Sequence, residues 1–214
     1  MKKMTDNLDR YADRIRLDLE KKDDAREKVL PLCRELIRYA SITIRAIHRQ
    51  EFDDAEKLLN EGKKVKEDLA LAVKQWEELR YHGFVRDAEK EYTEANAVFA
   101  LVRGKPLPDP DDLKVDYPSY LNGLGDTVGE LRRYLLDSMR HGDLSHCEEM
   151  LSAMDDIYTV LVTIDFPDAI TGGLRHTTDQ VRGILEKTRG DVTLVVRQRE
   201  LETKLDQSKT QKDI

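Results

Sequence analysis

Cysteine is scarce in this 214-residue chain: Cys33 and Cys147 stand alone, outside any CxxC pair. That argues against a cysteine-held metal or a disulfide framework and leaves two buried, reduced thiols as the expectation. Long apolar runs are missing too, since no stretch approaches the roughly 20 residues that span a bilayer. The leading MKKMTDNLDRYADRIR has two lysines but no apolar segment behind them, so it does not read as a secretion signal. A soluble, cytoplasmic protein is expected, with no membrane partner. Basic charge is not in excess: 36 Lys and Arg against 43 Asp and Glu leave a net charge of −7. Nucleic-acid binding through overall charge is thereby excluded, and any such binding needs basic residues gathered on one surface. The five histidines are scattered singly, and neither a phosphate-cradling glycine loop nor a Ser-His-Asp set is present.

What remains is helical periodicity. Charged residues make up 37% of the chain, yet the 39% that are hydrophobic recur at intervals of three and four. This is the pattern of long amphipathic helices with solvated outer faces. No alternating strand pattern of any length occurs. The spacing predicts an all-α antiparallel bundle of about six to seven long helices, in one domain spanning residues 1–214. Helices are predicted from about Met4 to Arg49, from Asp53 past Trp76, from Phe84 to Val102, from Pro118 to His141, from Asp143 to Phe166, and over the last seam from Ile170. Pro31 should kink or restart the first. Three of the six prolines fall in GKPLPDPDD, which predicts a non-helical loop over 104–118. The tail over 203–214 loses its apolar content and should fray.

The third predicted helix carries the most informative residues, DAEKEYTEANAVF. At 100° per residue, Phe84, Ala88, Tyr92, Ala95, Phe99 and Val102 form the core face within about 80°. Asp87, Glu91, Glu94 and Val98 lie immediately beside it within about 60°, while Arg86, Glu89 and Asn96 take the solvated side. Two glutamates at the edge of an apolar face repel each other and lose hydration, so a divalent cation or neighbouring arginines must compensate them. A salt-bridged helix edge and an oxygen-ligand site for a hard metal both meet that need. Asp126 and Glu130, opposite the seam of the fourth helix, and Asp156 in the fifth could complete such a site. Gly123, Gly125 and Gly129 would let another backbone approach there. A di-iron site needs Glu-x-x-His motifs, which are absent.

The first helix bears a second feature. Arg34, Arg38, Ser41, Arg45, His48 and Arg49 fall within about 100°, uninterrupted by acid, and Lys63, Lys64 and Lys66 add charge on the next helix. Arginines one turn apart can track a phosphate backbone without reading its sequence, and a solvated surface remains the alternative.

These segments together resemble the translin family, most closely its translin-associated factor X branch. DAREKVLPLCRELIRYASITIRAIHR resembles that branch's first-helix signature. KEYTEA is similar to its catalytic-helix pattern through Glu91, Tyr92, Glu94 and Ala95. YLNGLGDTVGELRR resembles the helix that covers Asp126, Gly129 and Glu130, and LSAMDDIY aligns the family's third catalytic acid with Asp156. The similarity spans about Asp23 to Val196. The resemblance implies a translin-like α-α superhelix, assembled as a hollow octamer, archaeal and homo-oligomeric in so short a version. It implies an RNA-enclosing endoribonuclease with Mg2+ or Mn2+ as cofactor. Glu91, Glu94 and Asp156 would then be metal ligands or general bases with Glu130 nearby, and Arg34, Arg38, Arg45, His48 and Arg49 would face RNA, single- or double-stranded, or single-stranded DNA. The other reading is a non-catalytic single-stranded nucleic-acid-binding protein that keeps its acids as structural ion pairs.

Overall fold

The computed structural model describes residues 4–74 and 76–210, with side chains through residue 208. Among the described residues the chain is helical, without a strand: α1 (Leu8–His48), α2 (Phe52–Val73), α3 (Glu77–Arg80), α4 (Gly83–Val102), α5 (Pro110–Leu113), α6 (Tyr117–Arg140), α7 (Cys147–Thr163), α8 (Asp168–Thr171) and α9 (Leu174–Thr210). No described helix is long and apolar enough to cross a membrane.

Two apolar clusters organise these helices. In one, Val29, Cys33 and Leu36 of α1 meet Val65 and Leu69 of α2 and Val85, Ala88 and Tyr92 of α4. In the other, Leu124, Val128 and Leu131 of α6 meet Met150, Met154 and Leu161 of α7 and Val181, Leu185 and Val192 of α9. The helices α4 and α6 lie between the clusters and pack on each other. Both cysteines are buried and free, as their apolar settings require.

Several boundaries differ from the sequence pattern, for local reasons. The helix α1 runs unbroken through Pro31, because the lost backbone bond is compensated by packing of Val29, Cys33 and Leu36 on either side. The seam predicted to continue past Trp76 stops at Val73, and α3 is a separate turn. Within the proline segment, Asp109 accepts from the Asp111 amide at 2.8 Å and Pro110 occupies the first turn, so α5 forms where a loop was expected. Asp143 caps the Ser145 turn and α7 begins later, at Cys147. The last helix starts at Leu174 rather than Ile170 and stays helical through Thr210, and residues 211–214 of the tail expected to fray lie outside the described residues.

One polar contact ties the N-terminal cluster to the segment that leads into α6. Glu89, expected on the solvated side of α4, is buried, and so is Lys66, expected to add surface charge. Their side chains are 3% and 4% exposed, with Lys66 Nζ 3.1 Å from Glu89 Oε1. Lys66 also donates to the Lys114 carbonyl at 2.7 Å, and Glu89 Oε2 accepts from the Asp116 amide at 2.9 Å. The wheel misplaced them because helix faces turn inward wherever a loop covers them. Asp116 in turn caps α6 by accepting from the Ser119 amide at 2.9 Å. The buried pair therefore sets where α6 begins. Lys66→Met strands the Glu89 charge and should lower unfolding stability by about 3–5 kcal/mol, while Lys66→Met with Glu89→Gln should recover much of that loss. Urea denaturation measures both, and a single variant as stable as the parent contradicts the role assigned to the pair.

Candidate functional site

The α4–α6 seam collects the acidic groups. On α4, Glu91 is half-buried and Glu94 is 9% exposed. From α6, Asp126 and Glu130 face them, one turn apart. This approach is close enough that a Cβ on Gly123 would lie 2.7 Å from the Lys90 carbonyl and 2.8 Å from Thr93 Cβ. Gly125 is equally obliged to lack a side chain, since a Cβ there would meet Thr177 Cγ2 of α9 at 2.2 Å. The third glycine, Gly129, has nothing nearer than Ile184 at 4.0 Å and is under no such constraint.

Charge density at the seam shows in the titration of its groups. Burial pushes the Glu94 carboxyl up to about 8, reinforced by the charges of Asp126, Glu91 and Glu130 and opposed by Lys90. Burial also raises Glu91, Lys90 works against it, and Asp126, Asp87 and Glu130 add to it. Glu130 is lowered, first by its hydrogen bond with His48, against the effect of burial. His48 Nε2 lies 2.5 Å from Glu130 Oε2, with Arg133 3.7 Å from the same oxygen. The counter-charge within the cluster is Lys90, whose Nζ is 2.8 Å from Asp126 Oδ2. Burial opposes the Lys90 ammonium, but Asp126, Glu91 and Asp87 outweigh it and raise its pKa.

The structure thus brings together Glu91, Glu94 and Glu130, but not Asp156. That aspartate is exposed on α7, and it is absent from the charges that act on Glu94. The aspartate that acts on Glu94 is Asp126 of α6, for a simple reason: α6 packs on α4 along its length, whereas α7 packs mainly on α6 and α9. Donor chemistry suits a hard divalent cation, with oxygen ligands only around a buried like-charge group. Among the described residues, however, no three His, Cys, Asp or Glu side chains converge on one ion-sized point. Lys90 holds Asp126 in this arrangement, so a dication would have to compete with it.

The basic stripe of α1 is partly as expected. Arg34, Arg38, Arg45 and Arg49 are exposed along one face. Arg38 pairs with Glu35 at 3.2 Å and stacks 4.9 Å from the Tyr39 ring, while Arg45 donates to the Ser41 carbonyl and hydroxyl. His48 does not belong with them: its side chain is 7% exposed and turned to Glu130, with Nδ1 buried and unpartnered among the described residues. The helical wheel could not separate it from the arginines, because its burial is imposed by α6. Lys90 was missed altogether, as a lysine between two acids carries no periodic signal.

Glu94 links this geometry to stability. A glutamate in the unfolded chain titrates near 4.5. Between that value and about 8, the folded protein keeps a proton that the unfolded chain has released, so stability falls as pH rises through this window. The loss is on the order of several kcal/mol for a group this buried. In EDTA, Glu94→Gln should flatten the decline and be more stable than the parent at pH 8. Urea unfolding at pH 5 and pH 8 measures this, and parallel pH dependence in the two proteins contradicts it.

Comparison with known proteins follows the same architecture. No family model matches the chain. An uncharacterised protein of Methanocaldococcus jannaschii is 32% identical over 181 residues, covering 83% of this chain and 79% of that protein. AfC3PO, solved as a complex with duplex RNA, is 33% identical, covers 88% of this chain and 98% of its own, and superposes with a TM-score of 0.79. A second structure of AfC3PO gives the same coverage and identity with a TM-score of 0.81. NeC3PO in its apo form is 20% identical over 91% of this chain and 100% of its own, with a TM-score of 0.76, a likeness of fold. The helical order, the acids and arginines on their expected helices, and identity with AfC3PO along nearly its whole length place this chain in the translin family, among its C3PO-like, translin-associated factor X-type members.

Proposed function

We propose that this protein is an oligomeric RNA-binding endoribonuclease that uses Mg2+ or Mn2+. The observation that carries the reading is Glu94, a buried carboxylate among three others with its pKa pushed up to about 8. A fold gains nothing structurally from such a like-charge cluster, whereas a dication would relieve it. Glu91, Glu94 and Asp126 would hold the ion, with Glu130 at its edge. The chemistry such an ion supplies is activation of water and neutralisation of charge on a leaving oxygen. Glu94 can hold a proton near neutral pH, and His48 keeps Glu130 charged and oriented.

The exposed arginines of α1 support a sequence-independent grip on phosphates. That AfC3PO was solved with duplex RNA supports RNA as the class of ligand, with single-stranded forms and DNA as further candidates. Exposed apolar residues at both chain ends, Leu8, Tyr11 and Ile15 of α1 and Leu194, Leu201 and Leu205 of α9, support burial against further copies, and an octamer is the assembly we favour.

A second reading, RNA binding without cleavage, is favoured by the Lys90–Asp126 ion pair and by the lack of a closed three-ligand point among the described residues. One experiment separates the two. Labelled RNA is incubated with parent protein, Glu94→Gln, and Arg38→Gln with Arg45→Gln, in manganese or EDTA. Glu94→Gln should lose about two orders of magnitude or more in manganese-dependent cleavage and keep RNA binding. The double arginine variant should bind all RNAs more weakly and reduce the salt dependence by roughly two units of slope. Parent-level cleavage by Glu94→Gln rules out the catalytic assignment, and unchanged binding by the arginine variant makes that stripe plain surface.

A further inference from the structure

Lys90 stands where the acidic seam needs positive charge. Its ammonium is 2.8 Å from Asp126 Oδ2, and its charge opposes the raised pKa of both Glu91 and Glu94. These three carboxylates are the ones proposed above as ligands. A single lysine thus acts on all of them in the sense that a dication would, with less charge. The root of this side chain is fixed, because the Lys90 carbonyl is one of the atoms that a Cβ on Gly123 would meet.

Its head is not held in the manner of a structural pair. Lys66 and Glu89 are almost wholly buried, and each also bonds to backbone. Lys90 and Asp126 are 33% and 34% exposed, and among the described residues the Lys90 ammonium makes no other ion pair. An ion pair this open to water contributes little and exchanges readily. A second seat lies within reach. Asp87, one turn back on α4, is exposed, makes no ion pair among the described residues, and adds to the charges that raise Lys90. Side chains three apart on a helix are neighbours. Asp87 and Lys90 both line a cavity of about 260 Å3, and Arg86 on the same wall is held by Asp116 at 3.1 Å. The stem of Lys90 can therefore turn from the seam to the cavity while its backbone stays in place.

We propose that Lys90 is an exchangeable counter-ion: it neutralises the seam from Asp126 and yields that place to a divalent cation by turning to Asp87. It thereby sets how tightly the seam takes such an ion. The inference rests on the metal reading above. The Lys90–Asp126 pair is then the competitor of a cation rather than an argument against one.

Calorimetric titration of MnCl2 into the full-length protein, treated with EDTA and dialysed, tests it. Lys90→Gln should bind Mn2+ about fivefold tighter than the parent, the scale of one exposed ion pair that no longer competes. A mere clamp between α4 and α6 predicts equal or weaker binding instead. In EDTA the same variant should unfold at lower urea, and saturating Mn2+ should raise its midpoint more than the parent's. Asp87→Asn should weaken Mn2+ binding more in the parent than in Lys90→Gln, the coupling expected if the released ammonium goes to Asp87. Lys90→Ala decides the matter if Lys90→Gln does not fold. Affinity in the lysine variant equal to or below the parent's overturns the proposal, as do additive effects of the two substitutions or no Mn2+ binding in parent and variant alike. Because no RNA is present, tighter binding by Lys90→Gln beside no cleavage by the parent sinks the nuclease reading alone. Equal affinities beside manganese-dependent cleavage sink the Lys90 role alone.

Discussion

The close approach of α4 and α6 at Gly123 is the constraint from which the rest of the site follows. A single methyl at that position would sit against the Lys90 carbonyl and Thr93. Spacing of this kind cannot be recovered by rotating a side chain, because one of the atoms it would meet is backbone. With the two helices this near, Asp126 and Glu130 are carried to Glu91 and Glu94, and four carboxylates share a partly desolvated seam. Gly125 does the same for α9, whose Thr177 fills the space a side chain would need. Two glycines with one residue between them thus let α6 touch a neighbour on each flank.

Electrostatics then distributes the roles. The ends of the cluster are compensated: Glu130 by His48 and Arg133, Asp126 by Lys90. Glu94, deepest of the four and without an ion-pair partner among the described residues, takes the burden as a raised pKa. A protein selected only for stability would have an apolar residue there, since burying a charge beside like charges is unfavourable by both desolvation and repulsion. The contrast with Lys66 and Glu89 is instructive. That pair is buried more completely, yet both partners are bonded to each other and to backbone, and it does structural work.

Helix count, the acidic helix and the arginine stripe were legible in the sequence because each is a periodic property of a single segment. Glu91 and Glu94 could be placed at the edge of the core face from spacing alone, and Gly123 and Gly125, though not Gly129, announced a close approach. What spacing could not show was which helix comes near. Asp126 and Asp156 each sit opposite an apolar seam, and only the packing of α6 on α4 separates them. Likewise His48 shares an angular sector with Arg45 and Arg49 but is covered by Glu130, and Glu89 and Lys66 are turned inward by the 110–116 segment. Differences of this type are tertiary: spacing places a residue on its own helix and leaves the partner surface unknown.

The central proposal is that Asp126, and not Asp156, would complete a metal site with Glu91 and Glu94. Electron paramagnetic resonance of Mn2+ titrated into the parent, Asp126→Asn and Asp156→Asn proteins tests it most directly. Loss of one anionic ligand should weaken Mn2+ binding about tenfold or more in Asp126→Asn, while Asp156→Asn binds as the parent does. Parent-like binding by Asp126→Asn, with the loss falling on Asp156→Asn or on neither, would contradict the account.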